Sequence, residues 1–106
     1  MSRRPATRDV FQAIADPTRR RILDLLSGGE QPVADLARQF QVSLSAISQQ
    51  MRVLREVGLV TVRRAGRERR YRLNPEALKE VAAWVSHYER FWQEKLAALG
   101  EELERD

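Results

Sequence analysis

Gln41-Val42-Ser43-Leu44-Ser45-Ala46-Ile47-Ser48-Gln49-Gln50-Met51-Arg52-Val53-Leu54-Arg55-Glu56-Val57-Gly58 is the stretch on which the fold turns. Leu44, Ile47, Met51 and Leu54 recur three or four residues apart, which predicts a helix buried along that face and stopped by Gly58. The opposite stripe, Ser45, Ser48, Gln49 and Arg52, keeps the same spacing; every member is polar and none is acidic. A merely solvated helix face usually mixes Glu with Lys. This one carries groups that suit base edges: Gln for adenine, Arg for guanine, Ser for either or for phosphate.

Working upstream, Gln41-Val42-Ser43 is a short break after a helix opened by Pro32 and carrying Val33, Leu36, Ala37 and Phe40. Before that, Asp16-Pro17-Thr18 starts a helix, with Asp16 as cap and Pro17 at its first position. Ile22, Leu23, Leu25 and Leu26 follow, and Gly28-Gly29 ends it. Val10, Phe11 and Ile14 give a short amphipathic first helix.

Downstream the period changes. Leu59 to Arg64 and Arg69 to Leu73 read as strands, joined at a tip of Ala65-Gly66-Arg67-Glu68. Six arginines fall within ten residues: Arg63, Arg64, Arg67, Arg69, Arg70 and Arg72. Such a density repels itself unless something anionic lies alongside, as a phosphate backbone would. Tyr71 and Leu73 alternate with the arginines and are expected to pack inward, and two or three of the six arginines to do no more than solvate the sheet. Asn74, as cap, and Pro75 open a last helix with apolar residues at 78, 81, 85, 88, 92, 96, 99 and 103. The expected architecture is mainly α with a β-hairpin wing, in the order α-α-α-α-β-β-α, a winged helix-turn-helix.

Composition agrees with a nucleic-acid partner for part of the chain. Of 19 basic residues in 106, 17 are Arg. Residues 1–74 hold 15 basic and 7 acidic groups, net +8; residues 75–106 hold 4 and 8, net −4. There is no cysteine and one histidine, which excludes disulfides, thiol chemistry and a His-rich metal site within one chain. Ser43, Ser45 and Ser48 lie near no His, and no phosphate loop or carboxylate pair suggests an enzyme. No apolar run approaches the length of a membrane span, and Met1-Ser2-Arg3-Arg4-Pro5 lacks the apolar stretch of a signal peptide, so a cytoplasmic protein without a membrane partner is expected.

Three segments together resemble a known family. Ala15-Asp16-Pro17-Thr18-Arg19-Arg20-Arg21-Ile22-Leu23, then Val42-Ser43-Leu44-Ser45-Ala46-Ile47-Ser48-Gln49-Gln50-Met51, then Leu54-Arg55-Glu56-Val57-Gly58-Leu59-Val60 are similar to the ArsR/SmtB family of bacterial transcriptional repressors. The likeness runs from about Val10 to Leu99. The tail from Trp84 through His87-Tyr88-Glu89-Arg90-Phe91-Trp92 resembles a metal-free branch that includes autorepressors of toxin-immunity operons. The resemblance implies a homodimer on an inverted-repeat operator, with the first and last helices at the dimer interface. It implies that Ser45, Ser48, Gln49 and Arg52 face the major groove and that Gly66-Arg67 tip the wing. Metal-sensing members carry Cys-x-Cys on the third helix, and Glu30 to Asp35 offers none. Others place Asp, two His and Glu along the last helix, where this chain has His87 with Glu80, Glu89 and Glu94 scattered around it.

The expectation is therefore a single domain over residues 1–106, with a DNA-binding core at 8–74 and a dimerisation helix at 75–106. The candidate DNA contacts are Ser43, Ser45, Ser48, Gln49, Arg52, Arg67, Arg69 and Arg70, with the Arg19–Arg21 cluster adding phosphate contacts. The candidate dimer interface is Val10, Phe11, Ile14, Tyr88, Trp92, Leu96 and Leu99, since a domain of about 75 residues is too small to cover so long a helix. No cofactor or metal is expected, and the effector, small molecule or protein, is left open. The rival readings are a winged helix for RNA or for a protein partner, and a small-molecule-responsive regulator with Trp84, Phe91 and Trp92 lining its pocket.

Overall fold

The computed structural model describes residues 9–104; the arginine-bearing segment before Asp9 and the last two residues, within the domain expected from the sequence, lie outside it. Asp9 accepts a hydrogen bond from the Phe11 amide and starts α1, Val10–Ala15. Asp16 accepts one from the Arg19 amide, and Pro17 opens α2, Pro17–Leu26. A two-residue strand, β1 (Gln31–Pro32), leads into α3, Val33–Phe40. Gln41 then adopts φ 56°, the left-handed conformation that ends many helices, and turns the chain toward α4, Leu44–Glu56. The Ser43 hydroxyl caps α4 by accepting from the Ala46 amide.

The wing is β2, Val60–Ala65, and β3, Glu68–Leu73, paired antiparallel with Ala65 opposite Glu68. Gly66 sits at φ 64° in the two-residue turn, at the first central position where a glycine is favoured. β1 adds a third strand that the sequence did not reveal: Gln31 pairs with Tyr71 and Pro32 with Arg70, so the sheet order is β1-β3-β2. Pro32 thus closes a strand as well as preceding α3.

Ile22, Leu36, Ile47, Met51, Leu54, Leu59 and Val60 are fully buried and join α2, α3 and α4 to the sheet, with Val10 and Ala13 adding α1 to the same core. Tyr71 is buried beneath the hairpin and Leu73 half-buried, as their alternation with arginine predicted. Leu44 departs from expectation. It shares the helical stripe of Ile47 and Met51, yet it is 54% exposed. It stands in the first turn of α4, beside an open cleft between the start of α3 and the wing, where the cover of the core has run out.

The last helix is not continuous. Pro75–Leu78 is a single 3-10 turn, followed by α5, Lys79–Ser86, and α6, Glu89–Glu104. At the joint the backbone tightens: the Tyr88 amide donates to Val85 O at 2.9 Å and the Phe91 amide to Tyr88 O at 3.1 Å. Nor does Asn74 cap this segment. Its side-chain amide instead donates to Gly58 O at 2.8 Å, tying the end of β3 to the end of α4.

Candidate nucleic-acid interface

Burial of Ile47, Met51 and Leu54 fixes the rotation of α4 and so decides what its other side shows. Ser45, Gln49 and Arg52 are exposed and Ser48 is half-buried, all along one side of the helix. Ser43 lies just ahead of them, with its hydroxyl engaged as the cap and 3.3 Å from that of Ser45.

β3 alternates, so Arg69, Tyr71 and Leu73 share one face of the wing while Arg70 and Arg72 take the other. Arg69 Nη2 donates to the Tyr71 hydroxyl at 2.9 Å, and its guanidinium carbon lies 5.8 Å from the ring centroid. Buried Tyr71 therefore anchors Arg69 on the side of α4. Between α4 and the wing runs a trough made of two hollows that share Ser48 and Arg69. One, of about 290 Å³, reaches from Leu44 and Val33 to Arg67 at the wing tip. The other, of about 230 Å³, is lined by Ser48, Arg52, Arg55, Arg69 and Tyr71. The structure thus brings Ser48, Arg52, Arg67 and Arg69 to one trough, with Ser45 and Gln49 on the exposed side of the same helix. It adds Arg55, one turn beyond Arg52, which the sequence reading left out although its spacing puts it next along the helix.

Two arginines on the other face of the wing, Arg63 and Arg70, are engaged elsewhere. The Glu30 carboxylate accepts from Arg63 through both oxygens, at 2.7 and 2.9 Å, and from Arg70 Nε at 2.9 Å. Arg70 also pairs with Glu68 at 3.0 Å. The Arg63 hydrogen bond, and after it that of Arg70, holds the Glu30 carboxyl below the usual carboxylate range despite opposing partial burial; Glu30 in turn raises Arg63. Arg70, expected on DNA, is a clamp between wing and body in this arrangement. No local pattern could have shown this, because Glu30 lies 33 and 40 residues from its partners.

The Arg19–Arg21 cluster is likewise engaged within the domain, although Arg20 and Arg21 stay exposed. Arg19 Nε donates to Ala13 O at 2.7 Å and Nη1 to the Gln50 side chain at 3.1 Å; Arg20 Nη1 donates to Ile14 O at 2.7 Å. These guanidinium groups satisfy the carbonyls at the end of α1, where a cation is favoured. Arg21 stacks over Phe40 at 5.1 Å.

The candidate interface residues on the last helices are uncovered. Trp84, Tyr88, Phe91, Trp92, Leu96, Leu99 and Leu103 are between 42% and 72% exposed. Phe11 meets Trp84 edge-on at 5.8 Å, and Trp84 meets Tyr88 at 5.5 Å, so an aromatic ridge runs from α1 into α5 and α6. Phe11 and Ile14 are half-buried, but Val10 faces the core of its own domain and is 6% exposed, which removes it from the outer surface.

A helix-turn-helix domain family matches residues 14–63, the span from the end of α1 into the wing. The transcriptional repressor SdpR of Bacillus subtilis is 38% identical over 80 residues, covering 76% of this chain and 89% of its own length. An arsenical resistance operon repressor of Staphylococcus xylosus is 42% identical over 72 residues, 68% of this chain and 69% of that one. Among solved structures, an ArsR-like transcriptional regulator from Rhodococcus sp. RHA1 superposes with a TM-score of 0.69 at 34% identity, covering 92% of this chain and 89% of the other. With the polar face of α4, the arginine-bearing wing and these relatives in agreement, the chain belongs to the ArsR/SmtB family of winged helix-turn-helix transcriptional repressors, a DNA-binding class and not an enzyme.

Proposed function

We propose that this repressor works as a homodimer on an inverted-repeat operator, occludes a promoter and answers to no metal ion. The trough between α4 and the wing is the observation that carries the DNA reading. Its walls offer Arg52, Arg55, Arg67 and Arg69 for phosphate or guanine, and only Glu68 is acidic. Ser45, Ser48 and Gln49 supply base readout from α4, and the wing supplies register. The apolar ridge on α5 and α6 supports the dimer, because apolar rings left half in water are costly and a second copy covers them symmetrically. Residues 8–74 then form the DNA-binding core and residues 75–106 the dimerisation part. Among the described residues no helix is long and apolar enough to cross a membrane, and the cytoplasm, where the DNA lies, is the proposed location.

Metals regulate many repressors of this fold, and the donor set here does not suit one. The chain has no cysteine to supply thiolate, and its one imidazole, His87, meets Tyr88 edge-on at 5.2 Å. Among the described residues no three His, Asp or Glu side chains converge. A nuclease footprint on DNA upstream of the protein's own gene tests the whole reading. Two protected half-sites, unchanged by micromolar zinc, cadmium or arsenite, are expected. Release by a metal and recovery with a chelator would refute the metal-free part, and absence of any sequence-dependent protection would refute the operator part.

A further inference from the structure

Leu44 is the residue of α4 whose position the repressor fold does not need. A leucine on the Ile47–Met51 stripe belongs in the core by pattern, yet here it is more than half exposed. It neighbours Ser48 one turn along the helix and opens into the hollow whose far wall carries Arg67 and Arg69. Pro32, Val33 and Ala34 complete an apolar end to a hollow whose other lining is Ser48, Arg67, Arg69 and Glu68, the last paired with Arg70. In the major groove the one alkyl group is the C5-methyl of thymine, and aliphatic side chains read it by contact.

We propose that Leu44 is a specificity-determining residue that selects thymine by packing against its methyl group in each half-site. This rests on the reading of α4 as the helix that enters the major groove. Charge complementarity fixes the occupant. Arg67 and Arg69 flank the hollow and draw a phosphate backbone to its rim, which brings the edge of a base, and not an apolar peptide, over Leu44. Ser45 and Gln49 then provide the polar part of the readout and Leu44 the apolar part, from adjacent positions on one helix.

Replacement of single thymines by deoxyuridine tests it, since that exchange removes the methyl and leaves every hydrogen-bonding group in place. The site recovered by selection from random duplexes is scanned one thymine at a time, with wild type and with Leu44→Ala. For wild type, one thymine per half-site should lose about four-fold in affinity on exchange, the worth of one buried methyl-sized group. Leu44→Ala should bind the thymine and uracil duplexes equally at that position and keep its sensitivity elsewhere. Because the side chain is exposed, Leu44→Ala should retain the wild-type circular dichroism and non-specific affinity. A wild type that binds its site tightly but ignores every exchange, or a Leu44→Ala protein that keeps the full difference, overturns the role of Leu44 and leaves α4 as the reading helix. A wild type that selects no sequence overturns both.

Discussion

Trp92→Asp combined with Leu99→Asp should take the repressor apart into monomers. The four aromatic residues of the ridge, Trp84, Tyr88, Phe91 and Trp92, are about half exposed. At about 200 Å² for each ring, that leaves about 400 Å² of aromatic surface per protomer, worth up to about 10 kcal/mol at 25 cal/mol per Å². Association costs roughly 4–15 kcal/mol in lost freedom, which the up to about 20 kcal/mol from two such faces exceeds. Trp92 is 52% and Leu99 54% exposed. Covering what remains of them is worth about 2.5 and about 1 kcal/mol, and the symmetry of a pair doubles the sum to about 7 kcal/mol. The dissociation constant should rise by about five decades, before counting the four carboxylates brought to the interface. Sedimentation velocity from 1 to 100 µM reads it directly. The domain itself should stay folded, because none of α6 is buried within one protomer. A wild type that sediments as a monomer at tens of micromolar, or a double variant that still pairs, would show that the ridge does not build a dimer.

Three further outcomes follow from the site. Gln49→Ala should cost about 1–3 kcal/mol per half-site on the operator and almost nothing on random DNA, as read by fluorescence anisotropy; equal losses on both would move Gln49 to the backbone. Arg67→Ala and Arg69→Ala should each lower the slope of log K against log salt by about 0.9 on any sequence, and an unchanged slope in the pair would remove the wing from the phosphates. Glu30→Gln should lower the melting temperature at neutral pH, where the carboxylate holds Arg63 and Arg70. Its folded pKa is depressed, so its contribution is complete above the usual carboxylate range and is lost as pH falls through and below it. The gap between variant and wild type should therefore close in acid, and a constant gap would show that charge is not what anchors the wing.

The helices, the wing and the polar stripe of α4 were legible in the sequence because each is a periodic signal that burial enforces. Ile47, Met51 and Leu54 could only face inward, and that alone set where Ser45, Gln49 and Arg52 point. What escaped is non-local or too short to have a period. β1 is two residues long and one of them is proline, so neither alternation nor propensity marks it. The partners of Glu30 lie on another element, and composition cannot distinguish an arginine clamped to Glu30 from one free for phosphate. Arg19 and Arg20 read as surface charge but fold back onto the carbonyls of α1, a use that depends on the angle between α1 and α2. Leu44 fits the apolar spacing, and only the extent of its cover shows that the stripe ends at Ile47. The joint at His87 and Tyr88 contains neither glycine nor proline, so the apolar spacing runs through it unbroken.

Two copies that present two α4 helices to major grooves on one face of the duplex should draw their own operator out of a pool of random duplexes. The enriched duplexes should carry an inverted repeat whose half-sites are centred about 34 Å apart, 10–10.5 base pairs, or a multiple of that turn. A pool that enriches no sequence, or one that converges on a single asymmetric site bound by one chain, would contradict it.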